Sequence, residues 1–199
     1  MMKRDECLKI LAKHRSDDAI VVGVYNAGFD WRRISQSPLN YYSIGAMGQG
    51  SSHALGIALA MPEHKVIVLD GDGSLLMNLG SLVTIAQAAP SNYYHFVAEN
   101  GAYEANGSHP IPGRGTVSFA GHARAAGYPH AFEFDALEKF EAEIGKILAL
   151  QGPVFTTLKV VPGEKTPQDF AFANSRETHR AFMAAIAQIN SRGGRAERT

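Results

Sequence analysis

Little in this chain's composition assigns it to a class at first sight. A single cysteine, Cys7, stands among 199 residues, which excludes an internal disulfide framework, a cysteine-rich zinc site and an iron-sulfur cluster held by this chain alone. Neither sign of charge is in excess, with 19 Lys and Arg against 19 Asp and Glu. No net field therefore draws the molecule to nucleic acid or to an anionic membrane, and a small metabolite is the better default partner. No segment reaches the roughly 18 uninterrupted apolar residues of a membrane span, and Met1 to Arg15 mixes charges with its apolar residues, unlike a targeting segment. No membrane association is expected, and a reducing cytoplasm suits the lone thiol. Internal repeats are missing too. The length allows one domain with a substantial core and is short for two.

What is present alternates. Ala19 to Val24 and Lys65 to Leu69 are short apolar runs rich in β-branched residues, the pattern of buried parallel strands, and Asn92 to Ala98 and Val154 to Val161 extend the series. Between them, Ser52 to Ala60, Leu79 to Ala89, Phe119 to Ala126 and Leu137 to Leu150 carry helical spacing. Leu8, Leu11 and Ala12 form a modest apolar stripe on a first helix, and a last helix is expected near Arg176 to Ile189. The alternation predicts an α/β fold: one doubly wound domain over residues 1–190, with a mostly parallel sheet covered by helices on both faces. Residues 191–199 contain no apolar side chain larger than alanine and are expected to fray as a disordered tail. Ligands of such sheets bind at the carboxyl ends of the strands, which directs attention to the loops after Val24, Leu69 and Ala98.

The second of these loops carries chemistry. Val66 to Asp70 runs into Gly71-Asp72-Gly73-Ser74 and then into helix-prone Leu75 to Leu79. Glycines let backbone amides approach an anion, a helix start adds partial positive charge, and Asp72 offers a hard oxygen for a cation. A diphosphate bridged to magnesium suits that combination, although Gly-Asp-Gly is also an ordinary turn. Beyond the next strand comes Glu99-Asn100-Gly101-Ala102-Tyr103, which places the Asn100 amide oxygen one strand-helix-strand unit from Asp72. Both side chains can then converge on one metal ion. A dinucleotide reading of Gly48-Gln49-Gly50 fails, because His53 occupies the third glycine position.

Gly71-Asp72-Gly73, followed after 26 residues by Asn100, resembles the motif of thiamine diphosphate enzymes, which runs from Gly-Asp-Gly to a pair of asparagines. The first asparagine is Glu99 here, whereas the metal-binding second is kept. The resemblance extends to Ser43-Ile44-Gly45-Ala46-Met47-Gly48 and covers about Tyr42 to Gly163. Its order of motifs is most similar to the sulfopyruvate decarboxylase small subunit and the matching half of phosphonopyruvate decarboxylase.

The resemblance implies a cofactor site of Gly45, Met47, Gly71, Asp72, Gly73, Ser74, Asn100, Ala102 and Tyr103, holding thiamine diphosphate and Mg2+. Magnesium would be bound by the Asp72 and Asn100 side chains and the Ala102 main-chain carbonyl, within an octahedral oxygen shell. Met47 would be the apolar wedge beneath the cofactor and the Gly45 carbonyl an acceptor for its amino group; simple core packing is the other reading of Met47. Gly107 to Gly113 would close over the cofactor and the substrate. His109 could take part in proton transfer there, or be a merely solvated loop histidine. His53 is expected to be packed or capping.

The same family activates its cofactor with a glutamate from a pyrimidine-binding domain, for which this length leaves no room. Glu63 and Glu99 do not match that role. The resemblance thus implies a hetero-oligomer whose partner subunit supplies the activating glutamate. It would decarboxylate a small 2-oxo acid to an aldehyde, with sulfopyruvate-like or phosphonopyruvate-like substrates favoured. Arg114 and His109 are possible contacts for a second substrate anion. Half of an acetolactate synthase-like carboligase, half of a 2-oxo acid oxidoreductase, and a noncatalytic regulatory subunit are the alternatives.

Overall fold

In the computed structural model, residues 1–45, 47–163 and 167–196 are described. Six parallel strands form the frame: β1 (Ile20–Val24), β2 (Asn40–Ser43), β3 (Val66–Gly71), β4 (Tyr93–Glu99), β7 (His130–Phe134) and β8 (Val154–Lys159). Their order is β2-β1-β3-β4-β8-β7, and every adjacent pair is parallel. The expected α/β class, doubly wound and with helices on both faces, is what the chain adopts. Strands β1, β3 and β4 are short and almost entirely buried, because helices cover both faces and leave no polar side for alternation.

One face of the sheet packs α1 (Arg4–His14), α2 (Tyr25–Ile34) and α7 (Leu137–Ile147), burying Leu8, Leu11, Trp31, Phe140 and Ile144. The other packs α3 (Gly50–Ala60), α5 (Ser81–Ala88) and α6 (Phe119–Ala126) over Val68, Val97 and Phe155. Helix α6 has clear stop signals. Ser118 caps its start by accepting from the Gly121 amide at 3.0 Å, and Gly127 ends it at φ +106°. The short α8 (Phe170–Ala173) precedes α9 (Arg176–Ala196). Helix α9 continues past Asn190, where the sequence pattern predicts a tail, and persists to Ala196; residues 197–199 lie outside the described residues. Among the described residues no helix is long and apolar enough to cross a membrane.

Two elements beside the cleft follow from local chemistry that periodicity does not reveal. Helix α2 starts directly at the end of β1, without a side-chain cap, because Gly23 and Gly28 touch: a Cβ on Gly23 would lie 2.5 Å from the Gly28 Cα. After β4 the chain makes a small antiparallel hairpin, β5 (Ala102–Tyr103) with β6 (His109–Pro110), joined through a 3-10 turn at Glu104–Asn106. From β1 the chain departs to β2 on one side and to β3 on the other. That reversal opens a crevice between the carboxyl ends of β1 and β3, where ligands of open α/β sheets bind.

Candidate active site

An open cleft lies at this crevice. Its walls come from the end of β1 and the start of α2 (Tyr25, Asn26), from the turn joining β3 to α4 (Asp72–Leu76), and from the loop and hairpin after β4. Met47, Gly71, Asp72, Gly73, Ser74, Asn100, Ala102 and Tyr103 all line it, so eight of the predicted site residues are brought together. Gly45 and His109 do not line it. Gly45 is exposed, and a Cβ there would meet nothing within 4 Å. His109 is exposed on β6. Ala46 lies outside the described residues.

Asp72 is the hub of the site. It is 1% exposed. One carboxylate oxygen accepts from the Gly73 amide at 2.8 Å and the other from the Gly101 amide at 2.6 Å, stitching the β3 loop to the β4 loop. Burial pushes its carboxyl from the ordinary 3.8 up to about 6, against the opposing pull of these amides. The Asn100 amide oxygen accepts from the Ala102 amide at 2.8 Å. The two glycine amides expected to face an anion are in fact turned inward: Gly71 donates to Asp70 at 2.8 Å and Gly73 to Asp72. Each carboxylate flanks the glycine that follows it, which the spacing of the motif alone does not show.

Neighbouring residues fix the turn tightly. A Cβ on Gly73 would lie 2.5 Å from the Tyr103 ring, so only glycine fits beneath it. The Ser74 hydroxyl accepts from the Gly48 amide at 3.0 Å, and the Asn78 side-chain amide donates to the Gly48 carbonyl at 3.0 Å. These two bonds dock the Met47 loop onto α4 and the turn that follows it, leaving Met47 half-buried at the cleft. The side chain of Arg114 folds over Gly101. His53, expected to be packed or capping, is instead exposed on α3, where it shares a 3.1 Å hydrogen bond with Ser43 and lies edge-on to Tyr41.

Sequence reasoning missed the opposite wall. Tyr25 and Asn26 stand at the amino end of α2, which brings partial positive charge to the cleft, and Tyr25 holds a left-handed backbone at φ +42°. Beside them Arg4 reaches from α1 to Asp30 at 2.8 Å and to Glu104 at 2.6 Å, all three largely buried. Asn26 and the Gly163 amide also donate to Glu104, at 3.2 and 2.9 Å. Burial alone would raise the Glu104 carboxyl, but Arg4, with the Gly163 amide and Asn26, outweighs it and holds the group below its ordinary range. No local pattern announces Arg4, whose partners are 26 and 100 positions away.

Residues 22–158 match the family model described as thiamine pyrophosphate enzyme, C-terminal TPP binding domain. The chain belongs to the thiamine pyrophosphate enzymes. It is 33% identical over 182 residues to a phosphonopyruvate decarboxylase of Streptomyces viridochromogenes, a match covering 89% of this chain and 44% of that protein. It is 36% identical over 166 residues to sulfopyruvate decarboxylase subunit beta of Methanothermobacter thermautotrophicus, covering 82% and 84%. Among solved structures, a candidate thiamin diphosphate-dependent enzyme from Mycobacterium smegmatis shares the fold with a TM-score of 0.69 at 23% identity, covering 81% of this chain and 32% of that one. The chain thus spans less than half of the decarboxylase from Streptomyces and most of the subunit from Methanothermobacter.

The donors at the cleft fit the family's cofactor, thiamine diphosphate with magnesium. Asp72 is a buried carboxylate that makes no ion pair with a lysine or arginine among the described residues, so a bound cation would compensate its burial. Among the described residues no group of three His, Cys, Asp or Glu could cage a metal ion.

Proposed function

We propose that this chain is the diphosphate- and magnesium-binding subunit of a heteromeric thiamine diphosphate-dependent 2-oxo acid decarboxylase. Its substrate would be a sulfopyruvate-like or phosphonopyruvate-like acid, cleaved to an aldehyde and carbon dioxide. The state of the cleft's carboxylates carries the reading. Asp70, Asp72 and Glu104 are those that line it among the described residues, and each is engaged: Asp70 by Gly71 and His95, Asp72 by two amides, Glu104 by Arg4, Asn26 and Gly163. Glu63 is exposed on the turn after α3, at the opposite end of β3 from the cleft. Among the described residues no carboxylate of the cleft is free of such partners, which supports a partner subunit as the source of the glutamate that activates the pyrimidine end of the cofactor.

Asp72 and Asn100, with the Ala102 carbonyl, would hold magnesium; the amino end of α2 would face the diphosphate, and Gly73 would keep room for it beside Tyr103. Thiamine diphosphate, when bound, supplies the thiazolium that accepts the electron pair released as the 2-oxo acid loses its carboxylate. Met47, held through Gly48 by Ser74 and Asn78, would set the cofactor's bend. Arg114, folded over Gly101 beside the metal loop, would meet a second anion on the substrate, and exposed His109 would reach it only with movement of the hairpin. The kinship with a decarboxylase subunit named beta supports a two-chain enzyme.

The test is to assay the purified chain with thiamine diphosphate, magnesium and a panel of sulfopyruvate, phosphonopyruvate, pyruvate and benzoylformate, then to repeat after co-expression with its genomic neighbour. Carbon dioxide release is expected only from the complex, and fastest from the dianionic substrates. Comparable turnover by the lone chain would overturn the two-chain reading, and a preference for benzoylformate would overturn the substrate.

A further inference from the structure

Beneath the cofactor turn lies a polar pair that the reading above does not use. His95, at the centre of β4, is 0% exposed and Asp70, at the end of β3, is 1% exposed. The His95 Nε2 is 3.3 Å from one oxygen of Asp70, whose other oxygen accepts from the Gly71 amide at 2.8 Å. The His95 ring is wedged edge-on between Tyr93 and Phe155, with centroids at 6.0 and 5.2 Å. Its Nδ1 has no protein hydrogen-bond partner among the described residues, so Asp70 is the anchor the ring does have.

A buried polar pair in a core strand is costly where an apolar pair would pack as well. Here each end of the pair has a distinct neighbour. One end is locked in aromatic packing, which is rigid; the other reaches the peptide that begins Gly71-Asp72-Gly73, and Asp70 itself borders the cleft. The chain runs Asp70 Oδ1 to Gly71, then one residue on to Asp72, whose carboxylate joins the β3 loop to the β4 loop. We propose that His95 and Asp70 are positioning residues, which fix the backbone of the metal and diphosphate turn from inside the sheet and so set the direction of Asp72.

This rests on the cofactor assignment, and its sign separates it from plain electrostatics. Removing a carboxylate next to a bound diphosphate favours the anion by charge alone. A loss of affinity on removing Asp70 therefore points to positioning. It must also be separated from loss of stability, since a buried Asp70 left without its donor destabilises the fold whatever the pair does.

The experiment uses the full chain and four variants: His95→Phe, which keeps the ring volume without a donor; His95→Gln, whose amide nitrogen can take the place of Nε2; the double variant Asp70→Leu with His95→Phe, which removes both polar partners; and Tyr93→Phe, which loses a 3.0 Å hydrogen bond to Ser51 on the same face without touching the turn. Hydrogen exchange of residues 66–74 without cofactor, thermal unfolding, and calorimetric affinity for thiamine diphosphate with magnesium are measured for each. His95→Phe and the double variant are expected to speed exchange at the turn and to weaken cofactor affinity about tenfold. His95→Gln should stay within about threefold of the wild type, and Tyr93→Phe should lower stability without either effect. Recovery of stability in the double variant with affinity still reduced supports positioning. Wild-type exchange and affinity in the double variant would overturn it, leaving the pair a matter of stability only. If the wild type binds no thiamine diphosphate either alone or with its partner subunit, the cofactor assignment fails, and the exchange rates still decide whether the pair holds the turn.

Discussion

Replacing Asp72 with asparagine turns the cost of its burial into a measurable slope. The rise of its carboxyl from 3.8 to about 6 corresponds to about 3 kcal/mol at 1.36 kcal/mol per pH unit. The native chain holds this proton more tightly than the unfolded chain, so the contribution to stability is complete below pH 3.8 and is lost as pH rises through 6. Asp72→Asn does not titrate. It also turns an amide NH2 toward Gly73 or Gly101, a fixed penalty of about 1–3 kcal/mol, so the informative quantity is how the difference between the two proteins changes with pH. Urea denaturation of both, without cofactor, at pH 4, 5, 6 and 7 gives that difference, and titrations common to both cancel. The wild type should lose about 2–3 kcal/mol relative to Asp72→Asn between pH 4 and 7, and thiamine diphosphate with magnesium at pH 7 should restore it to the wild type alone. A difference that stays flat with pH, or moves the other way, would refute the claim that a buried carboxylate awaits a cation here.

Three further outcomes follow from the same site. Asp72→Ala is expected to abolish magnesium-dependent cofactor binding with the fold intact, and Asn100→Ala to weaken it less because a neutral ligand is lost; calorimetric titration of both decides. Met47→Ala should lower saturated turnover of the complex more than it lowers cofactor affinity, since a wedge sets geometry while the diphosphate anchors; equal losses would favour core packing. Arg4→Met removes the cation shared by Asp30 and Glu104 and should cost about 3–5 kcal/mol in denaturation at pH 7. Because Arg4 holds the Glu104 carboxyl low, Glu104's part of that gap is present above pH 4.5 and shrinks as pH falls through its folded value.

How much of this the sequence disclosed depended on whether a signal was local. Strands β1, β3, β4 and β8 were legible as apolar runs, and Asp72 and Asn100 through a spaced motif. Strand β7 was not, because at the sheet edge Glu133 is exposed and most of the strand is half-buried, which removes the apolar run. Strand β2, reading Asn-Tyr-Tyr-Ser, buries Asn40, which accepts from the Trp31 indole at 3.0 Å, a side-chain contact with the preceding helix that makes a polar strand tolerable. Helix α2 opens without a cap and with Tyr25 in a left-handed backbone, against the usual start signals. The inward turn of the glycine amides comes from local bonds to the carboxylate one residue back, whereas the contact of His95 with Asp70 depends on the pairing of β3 with β4, which no residue spacing encodes.

The bond from Arg4 to Glu104 also bears on the order in which a ribosome can build the cleft. One hundred positions separate the two residues, and the strand-like pairing of Met2 beside Val160, with the Val161 amide donating to the Met2 carbonyl at 2.9 Å, closes a longer span still. At about 5–20 residues per second, Arg4 waits on the order of 5–20 s for Glu104 to be synthesised. During that wait the first helix has no finished cleft to wall, and β3 and β4 can join the sheet only as their own residues are made. The cofactor grip is thus a late product of translation, assembled from the earliest and the later parts of the nascent chain together, so a ribosome-bound fragment ending before β4 should capture no thiamine diphosphate.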